Sequence, residues 1–135
     1  MGITQAVKAE ALRLGFVLAG VTTPDPPPHY TVFESWVKAG RHAEMAYLAS
    51  PLSLERRADP RAILSECRSI LSLGIAYPTP SPQLTGGKGR VASYAWGDDY
   101  HDVLPDKLQA LVSFIEAQLG KPVGNRLYTD SAPLL

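Results

Sequence analysis

Twelve prolines set the strongest limits on how this chain of 135 residues can fold. Four of them lie within Thr22–Pro28. Proline lacks a backbone N–H and has a fixed φ, so this stretch cannot run through the middle of a sheet and must connect elements at the surface. Three more share Pro78–Gly89 with three glycines, which predicts a long, mobile loop. The periodic stretches between these breaks are what remains to build a core. A chain of this length suits one domain, which buries about two-thirds of its unfolded surface.

Ile3, Val7, Ala11 and Leu14 recur at helical spacing, and Gly15 follows as a stop. Phe16–Val21 reads as a short buried strand. A helix is predicted over Tyr30–Ala39, with Phe33, Trp36 and Val37 on one side and Gly40 at its end. A shorter one covers Ala43–Ala49, interrupted by Pro51 and Ser53. Leu54–Arg61 is charged and reads as loop, with Asp59 capping a short helix that starts at Pro60.

Ser69–Tyr77 is almost continuously apolar, the mark of a central strand buried on both faces. Val91–Ala95 and Arg126–Thr129 read as two further strands. Between them Val103, Leu104, Leu108, Leu111, Val112, Ile115 and Leu119 form one helical face, expected to pack on the sheet. Pro105 belongs in that helix's first turn, because an interior proline costs about 3 kcal/mol. Asp99 or Asp102 is then the N-cap, and Gly120 ends the helix. The order predicts an α/β domain, a mixed sheet with flanking helices. The chain stops at Leu135, just past a strand end, so a front portion of a longer architecture is expected.

Thirteen basic and thirteen acidic side chains cancel, so no broad positive field advertises nucleic-acid binding. Cys67 is the single cysteine and cannot form an internal disulfide, which fits a reducing, cytoplasmic setting. No apolar run approaches the length of about 18 residues that spans a membrane, and no signal-peptide pattern opens the chain. The sequence holds no GxGxxG or GxxxxGK phosphate loop, no CxxC or HExxH metal motif and no GxSxG elbow.

Several residues could carry chemistry, each with a plainer role beside it. Asp130, at an expected strand end, could be a proton donor if partly desolvated; equally, it could cap the turn Ser131-Ala132-Pro133. Tyr94, Trp96 and Tyr100 could wall a flat ligand or simply fill a core. His101 could be a ligand, a proton shuttle or part of a helix cap. Arg56 and Arg57 could clamp a carboxylate, amide or phosphate, or be solvated beside Glu55 and Asp59. Cys67 reads as a small buried hydrophobe.

Four groups of residues then narrow the field: His42-Ala43-Glu44-Met45-Ala46-Tyr47-Leu48, Arg57-Ala58-Asp59-Pro60-Arg61, Tyr94-Ala95-Trp96-Gly97-Asp98-Asp99-Tyr100-His101 and Asp130-Ser131-Ala132-Pro133. In order and spacing they resemble the N-terminal region of epoxyqueuosine reductase, and the resemblance covers nearly the whole chain. It implies an oxidoreductase that uses cobalamin and 4Fe–4S clusters, with an external electron donor, to reduce epoxyqueuosine in tRNA to queuosine. Residues 1–135 would be the N-terminal part of its cobalamin-binding catalytic domain, a partial corrinoid-binding fold of the nitroreductase and reductive-dehalogenase kind.

By the same resemblance, Asp130 is the proton donor to the departing epoxide oxygen. Arg57, Ala92, Ser93, Tyr94 and Ser131 belong to the corrinoid surround, and Tyr100 and His101 line or support the same cavity. The family's second half of this domain and its two cysteine runs have no counterpart here, and one cysteine cannot ligate a cluster. The chain alone is therefore expected to be inactive, to expose an apolar surface and to self-associate. Two other readings are a corrinoid-handling module without reductase activity and a structural or interaction domain.

Overall fold

The computed structural model describes residues 2–77, 92–95, 97–130 and 133–135. Helix α1 (Ile3–Arg13) is followed by strand β1 (Leu18–Thr22), α2 (Tyr30–Lys38) and α3 (Pro51–Ala58). Strand β2 (Ile70–Gly74) and the long helix α4 (Tyr100–Leu119) complete the regular elements, with short 3-10 turns at Ala46–Ala49, Pro60–Ala62 and Ser93–Ala95. β1 and β2 pair as a two-stranded sheet. The fold is thus α/β, and it divides into two compact units: Met1–Gly20 with Ser72–Val123, and Val21–Leu71 with Gly124–Leu135. Among the described residues no helix is long and apolar enough to cross a membrane.

In the first unit α1 packs against α4. Val7 and Ala11 are buried on α1, Leu111 and Val112 on α4, and Phe16 just beyond α1. The turn after α1 follows from Gly15, whose φ of +95° few side chains tolerate. The Gly15 N–H donates to Leu12 O (3.0 Å) and the Phe16 N–H to Ala11 O (3.1 Å), the paired bonds of a Schellman ending. Lys107 Nζ on α4 donates to the Leu14 carbonyl at 2.7 Å. A Cβ on residue 15 would lie 3.4 Å from that nitrogen. Gly15→Ala is therefore expected to destabilise the chain by about 1–2 kcal/mol, the cost of a left-handed L-residue. The measurement is the urea midpoint, and an unchanged midpoint would mean that this turn rearranges freely.

The second unit is built on α2 and α3. Tyr30, Phe33, Trp36 and His42 form a chain of ring contacts with centroids 6.2–6.4 Å apart. Val37 is buried. The proline-rich connection is tied down by Arg61, which donates to the Pro24 carbonyl (2.7 Å) and pairs with Asp25 and Asp59.

Several sequence expectations need correction. Leu54–Arg61 is not a loop: residues up to Ala58 lie in α3, because Pro51 occupies the first helical turn instead of breaking it, and the Ser50 hydroxyl caps the Ser53 N–H. Asp59 does cap the Pro60 turn, accepting from the Arg61 N–H at 2.8 Å. The helix expected over Ala43–Ala49 is reduced to the 3-10 turn, with Ala43 in the left-handed region at φ 49°.

Ser93–Ala95 is a 3-10 turn, not a strand, while Val91 lies outside the described residues. Arg126–Thr129 forms no strand. Among the described residues neither segment pairs with a strand, and apolar composition does not supply such pairing. β2 is not buried on both faces: its side chains are half-buried or exposed. β1 is barer still, with Leu18 69% exposed. Helix α4 packs on α1, and Val103 and Leu119 fall outside the buried face. It starts at Tyr100, so Pro105 is its sixth residue. A proline there has no N–H to give the carbonyl of His101 one turn back, so it lies inside the helix and not in the first turn as expected. The loop expected at Pro78–Gly89 lies outside the described residues.

Candidate functional site

Helix α3 brings Ser53, Arg56 and Arg57 to one side, as spacings of three and four residues require. Ser53 is buried, and its hydroxyl accepts from the Arg57 guanidinium. The same guanidinium lies 5.6 Å from the Phe33 ring centroid, close enough for a cation–π contact. Arg57 is thus held from two directions before any ligand arrives. Arg56 differs: its Nε is buried and has no hydrogen-bond partner among the described residues. An unsatisfied buried donor costs about 1–3 kcal/mol, more for a charged group.

Both guanidiniums line a pocket of about 240 Å³ with Tyr47, Ser50, Leu52, Ser53 and Pro133. Among the described residues no carboxylate pairs with Arg56 or Arg57, whereas Arg13 and Arg61 both have acidic partners. A larger depression of about 450 Å³ lies along Thr31, Val32, Ser35, Trp36, Ala39 and Arg41. It is mostly apolar and holds none of the residues expected to carry chemistry. The smaller pocket is therefore the better site candidate. It joins Arg57 to Pro133 of the Asp130-Ser131-Ala132-Pro133 segment within the second unit.

Asp130, also in that unit, is exposed and sits at φ 49°. Aspartate and asparagine tolerate this left-handed conformation better than most side chains. Ser131 and Trp96 lie outside the described residues.

The remaining candidates belong to the first unit. Ala92 and Tyr94 are exposed and Ser93 half-buried, on and beside the 3-10 turn that leads toward α4. Asp99 caps α4: its Oδ1 accepts the His101 N–H at 2.8 Å and lies 2.9 Å from His101 Nδ1. The Tyr100 and His101 rings meet in a tilted arrangement with centroids 4.2 Å apart. The capping geometry expected for this turn is present. His101 is a partner of Asp99 and remains accessible, its side chain 49% exposed.

The His101 N–H, and after it the ring, hold the Asp99 carboxyl below the usual carboxylate range. A depressed folded-state value stabilises the helix start above the unfolded-state value and loses that contribution as pH falls through the folded one. Acidification below the ordinary carboxylate range should therefore reduce the helical Cα shifts of residues 100–103 first. Shifts that stay constant through that titration would separate the cap from helix stability.

Among the described residues no group of three or more His, Cys, Asp or Glu side chains gathers to hold a metal. Cys67 is free and half-buried, and its thiol contacts the Ser69 carbonyl at 3.5 Å. Sequence reasoning missed the pocket formed by Tyr47, Ser50, Leu52 and Ser53. The signal was Ser50-Pro51, an N-cap followed by a first-turn proline, which starts a helix and aligns Ser53 with Arg57.

The sequence pattern of the family described as epoxyqueuosine reductase QueG, DUF1730, matches residues 57–131. An epoxyqueuosine reductase of Cellulophaga algicola is 36% identical over 133 residues, covering 96% of this chain and 41% of that relative. The structure of epoxyqueuosine reductase from Streptococcus thermophilus superposes with a TM-score of 0.74 at 27% identity, over 100% of this chain and 36% of that one. A crystal structure of an epoxyqueuosine reductase with a tRNA-TYR epoxyqueuosine-modified tRNA stem loop gives a TM-score of 0.77 over 98% of this chain and 36% of that one. At 22% identity it speaks for the fold alone. The chain thus spans about two-fifths of the length of these relatives. The family pattern runs from Arg57 through Ser131, more than half of the chain, and on that ground the chain belongs to the epoxyqueuosine reductase QueG, DUF1730, family.

Proposed function

We propose that this chain is the N-terminal part of a cytoplasmic oxidoreductase that reduces epoxyqueuosine in tRNA to queuosine. The observation that carries the reading is the family match, which begins on Arg57 and takes in Asp130 and Ser131. The finer assignment is a partial corrinoid-binding domain of the nitroreductase-like kind, with 4Fe–4S cluster ligands supplied from outside these 135 residues. Residues 1–135 then act as one functional portion of the catalytic domain, and an external donor provides electrons.

Converting an epoxide to an alkene takes two electrons and two protons, and the oxygen leaves as water. When bound, a corrinoid would supply the two electrons. Asp130 delivers one proton to the departing oxygen, which spares the site from expelling an alkoxide, and solvent supplies the second. Arg57, Ala92, Ser93, Tyr94, His101 and Ser131 contact or support the corrinoid. The α3 residues suit its periphery: Arg57 is pre-set by Ser53 and Phe33, and the pocket of about 240 Å³ has room for a side group, not the macrocycle.

The test is turnover by a full-length protein containing this chain, loaded with its cofactors and given a tRNA stem loop that carries epoxyqueuosine. Loss of one oxygen from the nucleoside, read by mass spectrometry, is expected. An intact nucleoside after incubation with cofactor-replete protein would overturn the reading.

The chain by itself is expected to self-associate, because Leu18 and Val21 on β1 expose apolar surface. Light scattering should give a mass above that of a monomer. A clean monomer at high concentration would count against it.

A further inference from the structure

We propose, resting on the reading of Arg57 as part of the corrinoid surround, that Phe33 of α2 is a positioning residue: with Ser53 of α3 it fixes the Arg57 guanidinium without neutralising its charge. The family pattern begins at Arg57, so it takes in neither Phe33 nor Ser53. Both restraints come from groups that are themselves held. Tyr30, Phe33 and Trp36 recur every third residue and share one face of α2. The Phe33 ring centroid lies 6.3 Å from that of Tyr30 and 6.2 Å from that of Trp36, and α2 packs against α3. The Arg57 guanidinium lies over this ring at 5.6 Å from its centroid. That is within the reach of about 6 Å over which a ring quadrupole attracts a cation. Ser53 is buried one turn before Arg57, and the Ser50 hydroxyl accepts its N–H at 3.2 Å, which pins the backbone that carries its own hydroxyl.

The chemistry of the two restraints sets Arg57 apart from other arginines of the chain. Arg13 is held by Glu10, and Arg61 by Asp25 and Asp59, carboxylates that offset the charge they hold. A hydroxyl and an aromatic face order a guanidinium just as well, yet leave its positive charge whole. Among the described residues no carboxylate pairs with Arg57. Arginine is one of the most rotamer-rich side chains, and freezing it only when a ligand arrives would weaken binding by about threefold to tenfold. Phe33 and Ser53 remove that penalty in advance. A lysine would not serve in the same place, because its compact ammonium lacks the planar fork that lies on a ring while donating sideways. If Phe33 merely filled the row of rings, its loss would lower stability and leave the guanidinium and the cofactor affinity unchanged.

The experiment uses the full-length protein that contains this chain, prepared with isotope-labelled arginine and read first by NMR without cobalamin. The Arg57 Nε–H signal is identified by its loss in Arg57→Gln. The Phe33 ring current should displace that signal. Phe33→Leu should return it toward the position of exposed arginines, and Phe33→Tyr, which keeps the ring, should not. Cobalamin affinity, followed by visible absorption, should then fall by about threefold to tenfold in Phe33→Leu and in Ser53→Ala, and stay near the parent value in Phe33→Tyr. Circular dichroism establishes that each variant is folded, and Phe33→Met gives the same comparison should the leucine variant not fold. An Arg57 signal unmoved in a folded variant without the ring overturns the proposal. So does a cobalamin affinity that falls in Arg57→Gln but holds at the parent value in both Phe33→Leu and Ser53→Ala. If Arg57→Gln itself binds cobalamin as the parent does, the assignment of Arg57 to the corrinoid fails first, and the positioning role falls with it.

Discussion

Asp130→Asn in the full-length protein is expected to lower epoxide reduction by roughly 10²–10⁴, the usual contribution of a positioned general acid. The substitution is unusually clean at this position. Asp130 sits at φ 49°, and asparagine is among the few other residues that tolerate the left-handed region. The variant keeps the backbone, the size and much of the hydrogen bonding, and loses only the transferable proton. Alanine would confound the result by adding a conformational cost. Cobalamin should bind the Asn variant normally, because the contacts proposed for it come from other residues. If Asp130 serves only the turn before Pro133, the pattern reverses: melting temperature falls while turnover per folded molecule stays near normal. Measuring turnover and melting temperature on the same preparation decides between them.

Helix ends were legible in the sequence because local chemistry specifies them. Gly15 stops α1, Asp99 starts α4 and Asp59 caps the Pro60 turn, each through a bond within a few residues. The strands were legible where a partner lies among the described residues. Leu18–Thr22 and Ile70–Gly74 pair with each other, while Ser93–Ala95 and Arg126–Thr129 have similar apolar content and form no strand. Sheet formation depends on a partner distant in sequence, which composition does not report. Pro51 was misread for a different reason: proline ends a helix from its interior but begins one from its first turn.

The site divides along the same line. Arg56 and Arg57 could be read as an anion clamp or as a salt-bridged loop, and residue type could not choose. The structure places them on a helix, with Ser53 one turn before Arg57 and no carboxylate paired to either guanidinium among the described residues. Asp59 and Asp25 lie beside Arg61. The role of His101 as the partner of Asp99 was within reach of sequence reasoning, because the two stand two residues apart at the helix start. Pro133 in the α3 pocket was not, since that juxtaposition joins segments about eighty residues apart in the chain, a long-range closure no local pattern encodes.

Leu111→Ala should cost about 2–5 kcal/mol, the range for truncating a buried leucine, whereas Val103→Ala should change stability by no more than about 0.5 kcal/mol. Both residues belong to the apolar face that periodicity assigns to α4, so pattern alone gives no reason to separate them. Geometry does. Leu111 is 2% exposed and Val112 6%, while Val103 is 38% exposed. At 3.6 residues per turn Val103 lies about 80° round the helix from Leu111, on the side away from Val112. The surface facing α1 is thus centred between Leu111 and Val112, opposite Val7 and Ala11. Ala11 is fully buried, so a cavity opened at Leu111 meets a neighbour already too small to fill it. Domains are stable by only about 5–15 kcal/mol, so the Leu111 variant should unfold at markedly lower urea, followed by far-UV circular dichroism. The Val103 variant should follow the parent curve. Equal losses from the two would mean that α4 is rotated relative to α1 from the packing described, with Val103 inside the contact.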